Sequence, residues 1–336
     1  MKVLHVITGL QKAAGTTTFV ENAVRELRAL GNEVDICTCA DSSALARTDF
    51  DYDIVHIHGL WSSLLHRASR VAKRRGVPVV WSTHGMTAPW AMRHKRWKKF
   101  VPWLVYQRRD LSLARVVHCT VEQEAKWNRA LGFARTFVAP LGTDLARVAN
   151  EESVSTAGPR TLLYVGRIYP VKALDRLIRA YALTDREWNL RIVGPDQAGH
   201  RAELEALCRE LDLSNVEFVG PKYGDDLVRE YETCSALALV SHTENFGATV
   251  IDALACGKPV VTSTKTPWRE VADAGCGWWV DNDPETLACS LRKLFALSDE
   301  DRVAMGLKGR ALVESRYTWR SVARRIEEAY RAARTG

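Results

Sequence analysis

The chain has 336 residues, of which 46% are hydrophobic, and a formal net charge of +7. This length allows two domains with separate cores, and the composition predicts a soluble globular protein. There is no basic leader after Met1 and no apolar stretch long enough to cross a bilayer, so we expect a cytoplasmic protein. The eight cysteines are scattered without a C-x-x-C pair, which disfavours a disulfide framework or a zinc site.

Apolar, β-branched runs alternate with amphipathic stretches along the chain, and this pattern predicts doubly wound α/β layers. The predicted strands of the first half are residues 3–7, 34–37, 54–58, 77–82, 116–119 and 136–139, with helices at 17–30, 64–75 and 122–131. The predicted strands of the second half are residues 161–165, 189–193, 216–219, 235–240 and 259–262. The polar stretch 150–159 is a predicted linker, so we place domains at 1–157 and 158–318 and a final helix within 319–336. Two such sheets in tandem predict a ligand-binding cleft at their carboxyl edges.

The positive charge is concentrated in the first half. Residues 1–150 contain 22 Lys and Arg against 12 Asp and Glu, and the rest of the chain carries a balance of −3. The densest segment, residues 90–103, interleaves aromatic side chains with cations. It suits the headgroup layer of an anionic membrane, it would also attract nucleic acid, and it is equally typical of a helix with its aromatics in the core. Of these, we expect this segment to contact the inner face of the cytoplasmic membrane peripherally, and we expect no nucleic-acid partner.

Three features of the first half bear on chemistry. The loop of residues 9–16 between the first strand and helix contains Gly15 and could approach phosphate or sugar, but it matches neither a dinucleotide-binding fingerprint nor a P-loop. His84 lies at the end of a predicted strand, where it could bond to a sugar. His56 and His58 share one side of their strand, where a purely structural role and a functional role are equally open. The Asp51-Tyr52-Asp53 run precedes a buried strand without a supporting cluster, so we interpret it as a turn and expect no catalytic metal.

The second half carries a cationic turn and an acidic motif. Arg167 and Lys172 follow the predicted strand 161–165, where two cations would stabilise a departing diphosphate. Glu244 and Asp252 lie eight positions apart around Phe246 and Gly247, between a buried strand and a helix. The peptide groups of residues 246–248 at that helix start could hold a phosphate. The alternative interpretation is an ordinary buried βα unit.

The run from Glu244 to Val260, Glu-x-Phe-Gly with seven residues between the acids and then Ala-Leu-Ala-x-Gly-x-Pro-Val, resembles the signature of the family 4 retaining glycosyltransferases. That resemblance implies the GT-B fold, with two Rossmann-like domains facing across a cleft and the last helix crossing back onto the first domain. It implies that Glu244 lies beside the donor sugar, that Asp252 holds the ribose, and that Arg167 and Lys172 clamp the diphosphate. Its remaining donor contacts would be Gly15, Gly166, Gly194, Val219, Gly220, Asn245, Phe246, Gly247 and Ala248.

The chain departs from the family pattern at three places. Asp252 stands where Glu is usual, Ala173 replaces a Gly after Lys172, and Gly15 alone remains of a Gly-Gly pair. His84 matches the family's His-Gly step at the acceptor side of the donor. The stretch from His84 to Asp110 looks like transferases that build bacterial surface polysaccharides.

We therefore expect a metal-independent hexosyltransferase that moves a sugar, with retention, from a nucleotide diphosphate donor to a hydroxyl of a glycan, with a lipid-linked intermediate as the acceptor. The catalytic residues would be His84, Glu244, Arg167 and Lys172. UDP or GDP sugars are the expected donors, and no cofactor is expected. The alternatives are a nucleotide-sugar epimerase or hydrolase of the same fold, a non-catalytic nucleotide-sugar-binding subunit, and an enzyme that glycosylates DNA.

Overall fold

The computed structural model describes residues 1–10, 15–93, 96–144 and 160–335. The chain divides into two compact units, one formed by Met1–Gly142 with Trp319–Gly336 and the other by Thr143–Thr318. The chain therefore returns to the first unit at Trp319. The predicted linker at residues 150–159 lies outside the described residues.

The first unit is built on a sheet of six parallel strands. These are β1 (Lys2–Ile7), β2 (Glu33–Cys37), β3 (Ile54–His58), β4 (Val79–Ser82), β5 (Val116–Cys119) and β6 (Thr136–Val138). They pair in the order β2-β1-β3-β4-β5-β6. Because both faces are covered, β1, β3 and β4 are almost fully buried, which explains why their residues are mostly apolar. The prediction for β4 began two residues early, before Pro78.

The helices of this unit lie in the connections between strands. They are α1 (Gly15–Ala29), α2 (Ser63–Arg75), α3 (Pro89–Arg93), α4 (Arg96–Pro102), α5 (Arg108–Ser112) and α6 (Glu122–Ala130). A turn of π-helix, Trp103–Gln107, joins α4 to α5. Helix α2 ends at Gly76, whose φ of 69° provides the left-handed cap common at helix ends.

The second unit repeats the architecture. Its strands are β7 (Thr161–Val165), β8 (Asn189–Val193), β9 (Val216–Gly220), β10 (Ala236–Leu239), β11 (Val260–Ser263) and β12 (Gly277–Val280), in the order β12-β11-β10-β7-β8-β9. Its helices are α7 (Leu174–Ala182), α8 (His200–Glu210), α9 (Gly224–Thr233), α10 (Ala248–Ala255), α11 (Glu270–Asp273), α12 (Pro284–Phe295) and α13 (Asp299–Arg316). The sequence analysis missed β12. A Cβ on Gly277 would lie 1.9 Å from the carbonyl oxygen of Val260, so the strand requires a residue that usually weakens strands.

The final helix, α14 (Trp319–Thr335), packs on the first unit, in agreement with the predicted helix at 319–333. It contacts α1 and buries Trp319, Ile326 and Tyr330 in the core. Its charged side also bonds to this unit, since the Arg334 guanidinium lies 3.0 Å from the Asp53 carboxylate. Asp53 also accepts a hydrogen bond from the backbone of β1, which gives it a structural role.

The basic, aromatic segment forms α3, α4 and the π-turn, and much of its apolar surface faces solvent. The list of exposed side chains comprises Trp90, Trp97, Phe100, Val101, Leu104 and Val105, between 55% and 75% accessible. Trp103, by contrast, is packed against the core, beside Trp61 and Phe133. The interpretation that places the aromatics in the core is therefore wrong for Trp90, Trp97 and Phe100. Within the described residues, no helix has the length and apolar character needed to cross a membrane.

Candidate active site

The centre of the candidate site is an ion pair in the second unit. Lys172 Nζ lies 2.5 Å from Glu244 Oε2, and both side chains are about 15% exposed. The two residues are 72 positions apart, and each follows a central strand of the sheet, β7 or β10. The sequence analysis placed both at the carboxyl edge of this sheet, and the structure brings them together there. A cation and a carboxylate at this depth interact more strongly than an exposed pair.

Two backbone features hold Lys172 in place. The turn Pro170–Lys172 follows β7, and Ala173 then adopts a left-handed conformation with φ of 54°. This conformation suits glycine, the usual family residue, and costs alanine about 1–2 kcal/mol. The amide of His242, in the loop after β10, donates to the Val171 carbonyl at 2.9 Å. The lysine turn and the Glu244 loop are thereby fastened to each other.

Arg167 does not join this ion pair. It is exposed, and its Nη1 donates to Gln197 Oε1 at 2.8 Å. Its carbonyl accepts a hydrogen bond from the buried Tyr164 hydroxyl at 3.0 Å. Burial raises the pKa of Tyr164, the nearby Glu244 carboxylate raises it further, and Arg167 opposes the shift. The charges of Arg167 and Glu244 thus shift the pKa of the same phenol in opposite directions, although the two side chains are not in contact.

Three glycines form the rest of this strand edge. Gly166, Gly194 and Gly220 follow or end β7, β8 and β9, all with positive φ. A Cβ on Gly194 would meet the Gly166 carbonyl oxygen at 1.9 Å, so Gly194 is required by packing. Gly220 differs because nothing described lies within 4 Å of its Cβ position. Gly220 and the partly buried Val219 therefore lie where a ligand could approach the backbone.

The acidic motif continues into the start of α10. Gly247 has φ of 79° and precedes the first helical residue, Ala248, so the first N–H groups of the helix point out of its amino end, along the axis, without intrahelical acceptors. The buried Phe246 carbonyl accepts from Trp268 Nε1, which fixes the turn. Asn245, immediately before it, is partly buried. Such a helix start binds anions.

Thr249 belongs to this helix start, and the sequence analysis missed it. Its Oγ1 is buried and has no hydrogen-bond partner within the described chain. A buried hydroxyl that lacks a partner costs free energy, and a bound ligand could supply the partner. The sequence could have indicated Thr249, because it directly follows Ala248, which was already a predicted donor contact at the helix start.

Asp252 is one turn further along α10. Its Oδ1 accepts from Thr143 Oγ1 at 2.8 Å, and Thr143 is itself tied to the Tyr317 carbonyl at 2.8 Å. Burial raises the pKa of Asp252 to about 6, while the Thr143 hydrogen bond opposes the shift. Asp252 is therefore placed by a neighbour that the sequence did not indicate.

In the first unit, His84 follows β4 in a turn with φ of 47°. Its Nε2 lies 3.1 Å from His58 Nδ1. Burial lowers the pKa of His84 to about 3, with a further contribution from His118, so the imidazole is neutral at pH 7. Gly15 is the exposed first residue of α1, and residues 11–14 of the same loop lie outside the described residues.

A buried carboxylate shapes the His84 turn. Glu124 is fully buried in α6, and its Oε1 accepts from Gly85 N at 2.5 Å and from Thr83 Oγ1 at 2.7 Å. Its Oε2 accepts from the amide and hydroxyl of Thr120 at 2.7 and 2.9 Å. Four hydrogen bonds satisfy this charge and fix the turn on both sides of His84. The sequence analysis missed Glu124 because helix composition alone does not reveal which glutamate is buried.

A groove lies at the opposite, amino edge of the second sheet. It is lined by Arg191, Glu217 and Glu230 among others, and Arg191 forms ion pairs with both glutamates. These charges satisfy one another. Ligands of open parallel sheets bind at the carboxyl edge, so we assign the site to the Lys172–Glu244 edge and not to this groove.

Comparison with known proteins identifies the family. The profile described as "Glycosyl transferases group 1" matches residues 148–312, and "Glycosyltransferase Family 4" matches residues 42–147. A D-inositol 3-phosphate glycosyltransferase from Nocardioides sp. is 31% identical over 317 residues, covering 84% of this chain and 68% of the relative. The chain belongs to the family 4 glycosyltransferases. The chain spans about half of some relatives, such as the D-inositol 3-phosphate glycosyltransferase of Kineococcus radiotolerans, which is 34% identical over 60% of this chain and 52% of its own length.

Solved structures confirm the fold expected of a family 4 glycosyltransferase. Anabaena HepE in complex with UDP and glucose is similar over 99% of this chain and 100% of its own, with a TM-score of 0.76 and 17% identity. A glycosyltransferase from Rickettsia africae aligns over 100% of this chain and 99% of its own, with a TM-score of 0.80 and 16% identity. The predicted GT-B fold, with two Rossmann-like domains, is thus confirmed.

Proposed function

We propose that this chain is a nucleotide-sugar-dependent glycosyltransferase whose donor binds at the carboxyl edge of the second sheet. The observation that carries the proposal is the Lys172–Glu244 pair, held beside the start of α10. A nucleotide diphosphate gains negative charge as its bond to the sugar breaks. A lysine and a helix N-terminus directed at that charge stabilise it most in the transition state. HepE, a relative in fold, is named as binding UDP and glucose, which supports this donor class.

The residues have separate roles in this proposal. Lys172 neutralises the leaving diphosphate, and the exposed Arg167 side chain exchanges its bond to Gln197 for the diphosphate when the donor binds. Glu244 orients Lys172 and hydrogen-bonds to the donor sugar. The backbone at Asn245, Phe246, Gly247 and Ala248 binds phosphate and sugar, with the Thr249 hydroxyl as an added donor. Asp252 binds the ribose, and Gly166, Gly194, Val219 and Gly220 line the strand edge.

The proposed reaction retains the anomeric configuration and needs no metal or other cofactor. The carboxylate beside Lys172 is that of Glu244, and this ion pair already engages it. The leaving phosphate oxygen is therefore the proposed base for the acceptor hydroxyl. For the first unit we propose that His84 bonds to a substrate hydroxyl and that the loop containing Gly15 approaches the substrate.

Two acceptor classes have support. The basic, aromatic segment favours a glycan on a lipid carrier, as in exopolysaccharide, capsule or O-antigen synthesis. The curated relatives are named D-inositol 3-phosphate glycosyltransferases, which favours a phosphorylated cyclitol instead. Both acceptors present a hydroxyl, so the donor chemistry is the same. Radiolabelled donor offered with each acceptor separates them by the product that carries the label.

A panel of UDP, GDP and ADP sugars tests the proposed function. A ligand at one hundred times its dissociation constant stabilises the native state by about 2.7 kcal/mol. For a unit of the size of Thr143–Thr318, we expect sugar nucleotides of one base to raise the melting temperature by about 5–10 °C, and those of the other bases to raise it less. Stabilisation by none of them would contradict a nucleotide-sugar site.

Turnover separates the remaining alternatives. Release of nucleotide only when an acceptor is present supports a transferase. Release or isomerisation without acceptor supports a hydrolase or epimerase of the same fold, and binding without turnover supports a non-catalytic subunit. Salt-dependent binding to duplex DNA would support a DNA-modifying enzyme.

We also propose that α3, α4 and the π-turn rest on an anionic membrane. Trp97 is 75% exposed and Val105 is 66% exposed, and Lys98 lies 5.0 Å above the Trp97 ring. Apolar side chains beside cations suit the interface of acidic lipids. Flotation with phosphatidylserine vesicles tests this contact, with phosphatidylcholine vesicles and the variant Trp97→Ser as controls. Equal flotation with both lipids would argue against it.

A further inference from the structure

Five of the nine histidines lie together in the first unit, on the carboxyl halves of four neighbouring strands. The cluster comprises His5 on β1, His56 and His58 on β3, His84 after β4, and His118 on β5. The first three and His118 are at most 1% exposed, and His84 is partly buried. Two hydroxyl groups complete the cluster, those of Ser82 at the end of β4 and Tyr330 on α14. Burying so many titratable rings requires that their polar atoms be paired.

These groups form one unbranched chain of hydrogen bonds. From His84 Nε2 it passes to His58 Nδ1 at 3.1 Å, and from His58 Nε2 to His5 Nδ1 at 2.9 Å. It continues from His5 Nε2 to the Tyr330 hydroxyl at 3.2 Å and on to His56 Nδ1 at 2.6 Å.

The remainder of the chain runs through Ser82. His56 Nε2 lies 2.6 Å from Ser82 Oγ, which lies 2.6 Å from His118 Nδ1. His118 Nε2 finally meets the Ala139 carbonyl oxygen at 2.8 Å. Each of the rings between the two ends thus uses both of its nitrogen atoms.

The Ala139 carbonyl fixes the direction of every bond in the chain. A carbonyl oxygen can only accept, so His118 carries its proton on Nε2 and accepts from Ser82 on Nδ1. Burial lowers the pKa of all five histidines, so each ring is neutral and holds one proton. The same reasoning then passes along the chain. His56, His5, His58 and His84 each donate from Nε2 and have an unprotonated Nδ1.

We propose that this chain of residues holds His84 as the neutral Nε2–H tautomer, so that its Nδ1 lone pair is an acceptor reserved for a hydroxyl group of the substrate. Among the described residues, no hydrogen-bond partner is found for His84 Nδ1. The inference rests on the proposed function for the identity of the substrate. It assigns Tyr330, Ser82 and the four other histidines as positioning residues. A neutral acceptor nitrogen selects a sugar hydroxyl and disfavours a phosphate or carboxylate oxygen.

A metal ion is the rival occupant of this cluster. One ring nitrogen from each of His5, His56 and His58 lies within 4.8 Å of the others. All six ring nitrogens of these residues already take part in the chain, however, and a metal would have to break it to gain lone pairs. The consistent proton order along the whole chain favours hydrogen bonding over metal ligation.

Nitrogen-15 NMR of histidine-labelled protein tests the proposal, because long-range proton–nitrogen correlations distinguish the two neutral tautomers. At pH 7, we expect all five rings to be neutral, with the proton on Nε2. In Tyr330→Phe, which removes the link between His5 and His56, we expect His84 to change from one tautomer to a mixture of both. Tyr181→Phe is the matched control, since it removes a buried hydroxyl bonded to Trp188 in the second unit.

Several outcomes would overturn the inference. These are a proton on Nδ1 of His84, a charged His84 at pH 7, perturbation of the five rings by one equivalent of Zn²⁺, or an unchanged His84 spectrum in folded Tyr330→Phe. The wild-type spectrum alone decides the first two if that variant fails to fold. The spectrum does not depend on turnover. A protein with the expected tautomer but no nucleotide-sugar binding would contradict the proposed function only.

Discussion

Lys172→Ala is expected to lower the turnover number by a factor of about 10²–10³, the range found when one stabilising donor is removed from a developing anion. Loss of the Lys172 ammonium group has two consequences. It removes the cation assigned to the leaving diphosphate, and it leaves the Glu244 carboxylate, 15% exposed, without its partner. The second consequence is a loss of stability, because an uncompensated charge at this depth is costly. Stopped assays of nucleotide release and urea unfolding measure the two effects.

A double variant separates the two effects. Adding Glu244→Gln to Lys172→Ala removes the orphaned charge, so it should recover stability without recovering turnover. Lys308→Ala and Glu217→Gln are the matched controls, since both residues are exposed and lie away from the site. Turnover in Lys172→Ala within a factor of three of wild type would remove Lys172 from the proposed chemistry.

Acidification is expected to unfold the first unit near pH 5. Burial lowers the pKa of His5 and His84 to about 3, and it also lowers those of His56, His58 and His118. Below pH 6.5 the unfolded chain binds protons at these rings and the native state does not, so stability falls as pH falls. The four histidines whose pKa values fall far below 6.5, His5, His56, His58 and His84, each contribute up to about 1.4 kcal/mol per pH unit, or about 5.6 kcal/mol together. A typical free energy of unfolding of about 5–15 kcal/mol is therefore lost within about one to three pH units.

The second unit is expected to respond in the opposite sense. The pKa of Asp252 is raised to about 6, so between pH 6 and pH 4 the native state binds a proton that the unfolded chain does not. Its contribution to stability therefore grows as pH falls through this window. Hydrogen exchange resolved by peptide, corrected for intrinsic rates, follows each unit separately. Equal protection of β1, β3 and β4 from exchange at pH 7 and at pH 5 would contradict the account. In His58→Gln, the number of protons taken up on unfolding below pH 6.5 should fall by one.

The sequence was sufficient for what depends on local pattern. Strands such as Thr161–Val165 were predicted at their observed bounds because a buried parallel strand is a nearly continuous apolar run, here closed by Gly166. The Lys172–Glu244 edge was also predictable, since parallel strands present their carboxyl ends at one edge and the motif spacing matched a family. The strand Gly277–Val280 was not predicted. It begins with a glycine, which usually weakens a strand but is required here by the close contact with Val260.

Contacts between distant segments were not accessible to the sequence. His56 and His58 were seen to share one side of a strand, but their partners include Tyr330, 274 residues away from His56. No local pattern predicts which helix supplies a hydroxyl to a buried ring. The same limit applies to Asp252, whose partner Thr143 is 109 positions away, and to Arg167, which bonds to Gln197 instead of the acidic motif. Exposure of the aromatic segment was likewise decided by tertiary packing.

Crystallography of the protein soaked with the best-stabilising nucleotide sugar tests the central claim most directly. We predict the diphosphate within hydrogen-bonding distance of Lys172 Nζ and of the amide groups that open α10, with the sugar against Glu244. A nucleotide sugar bound at any other edge of the sheet, with the Lys172–Glu244 pair untouched, would contradict the account.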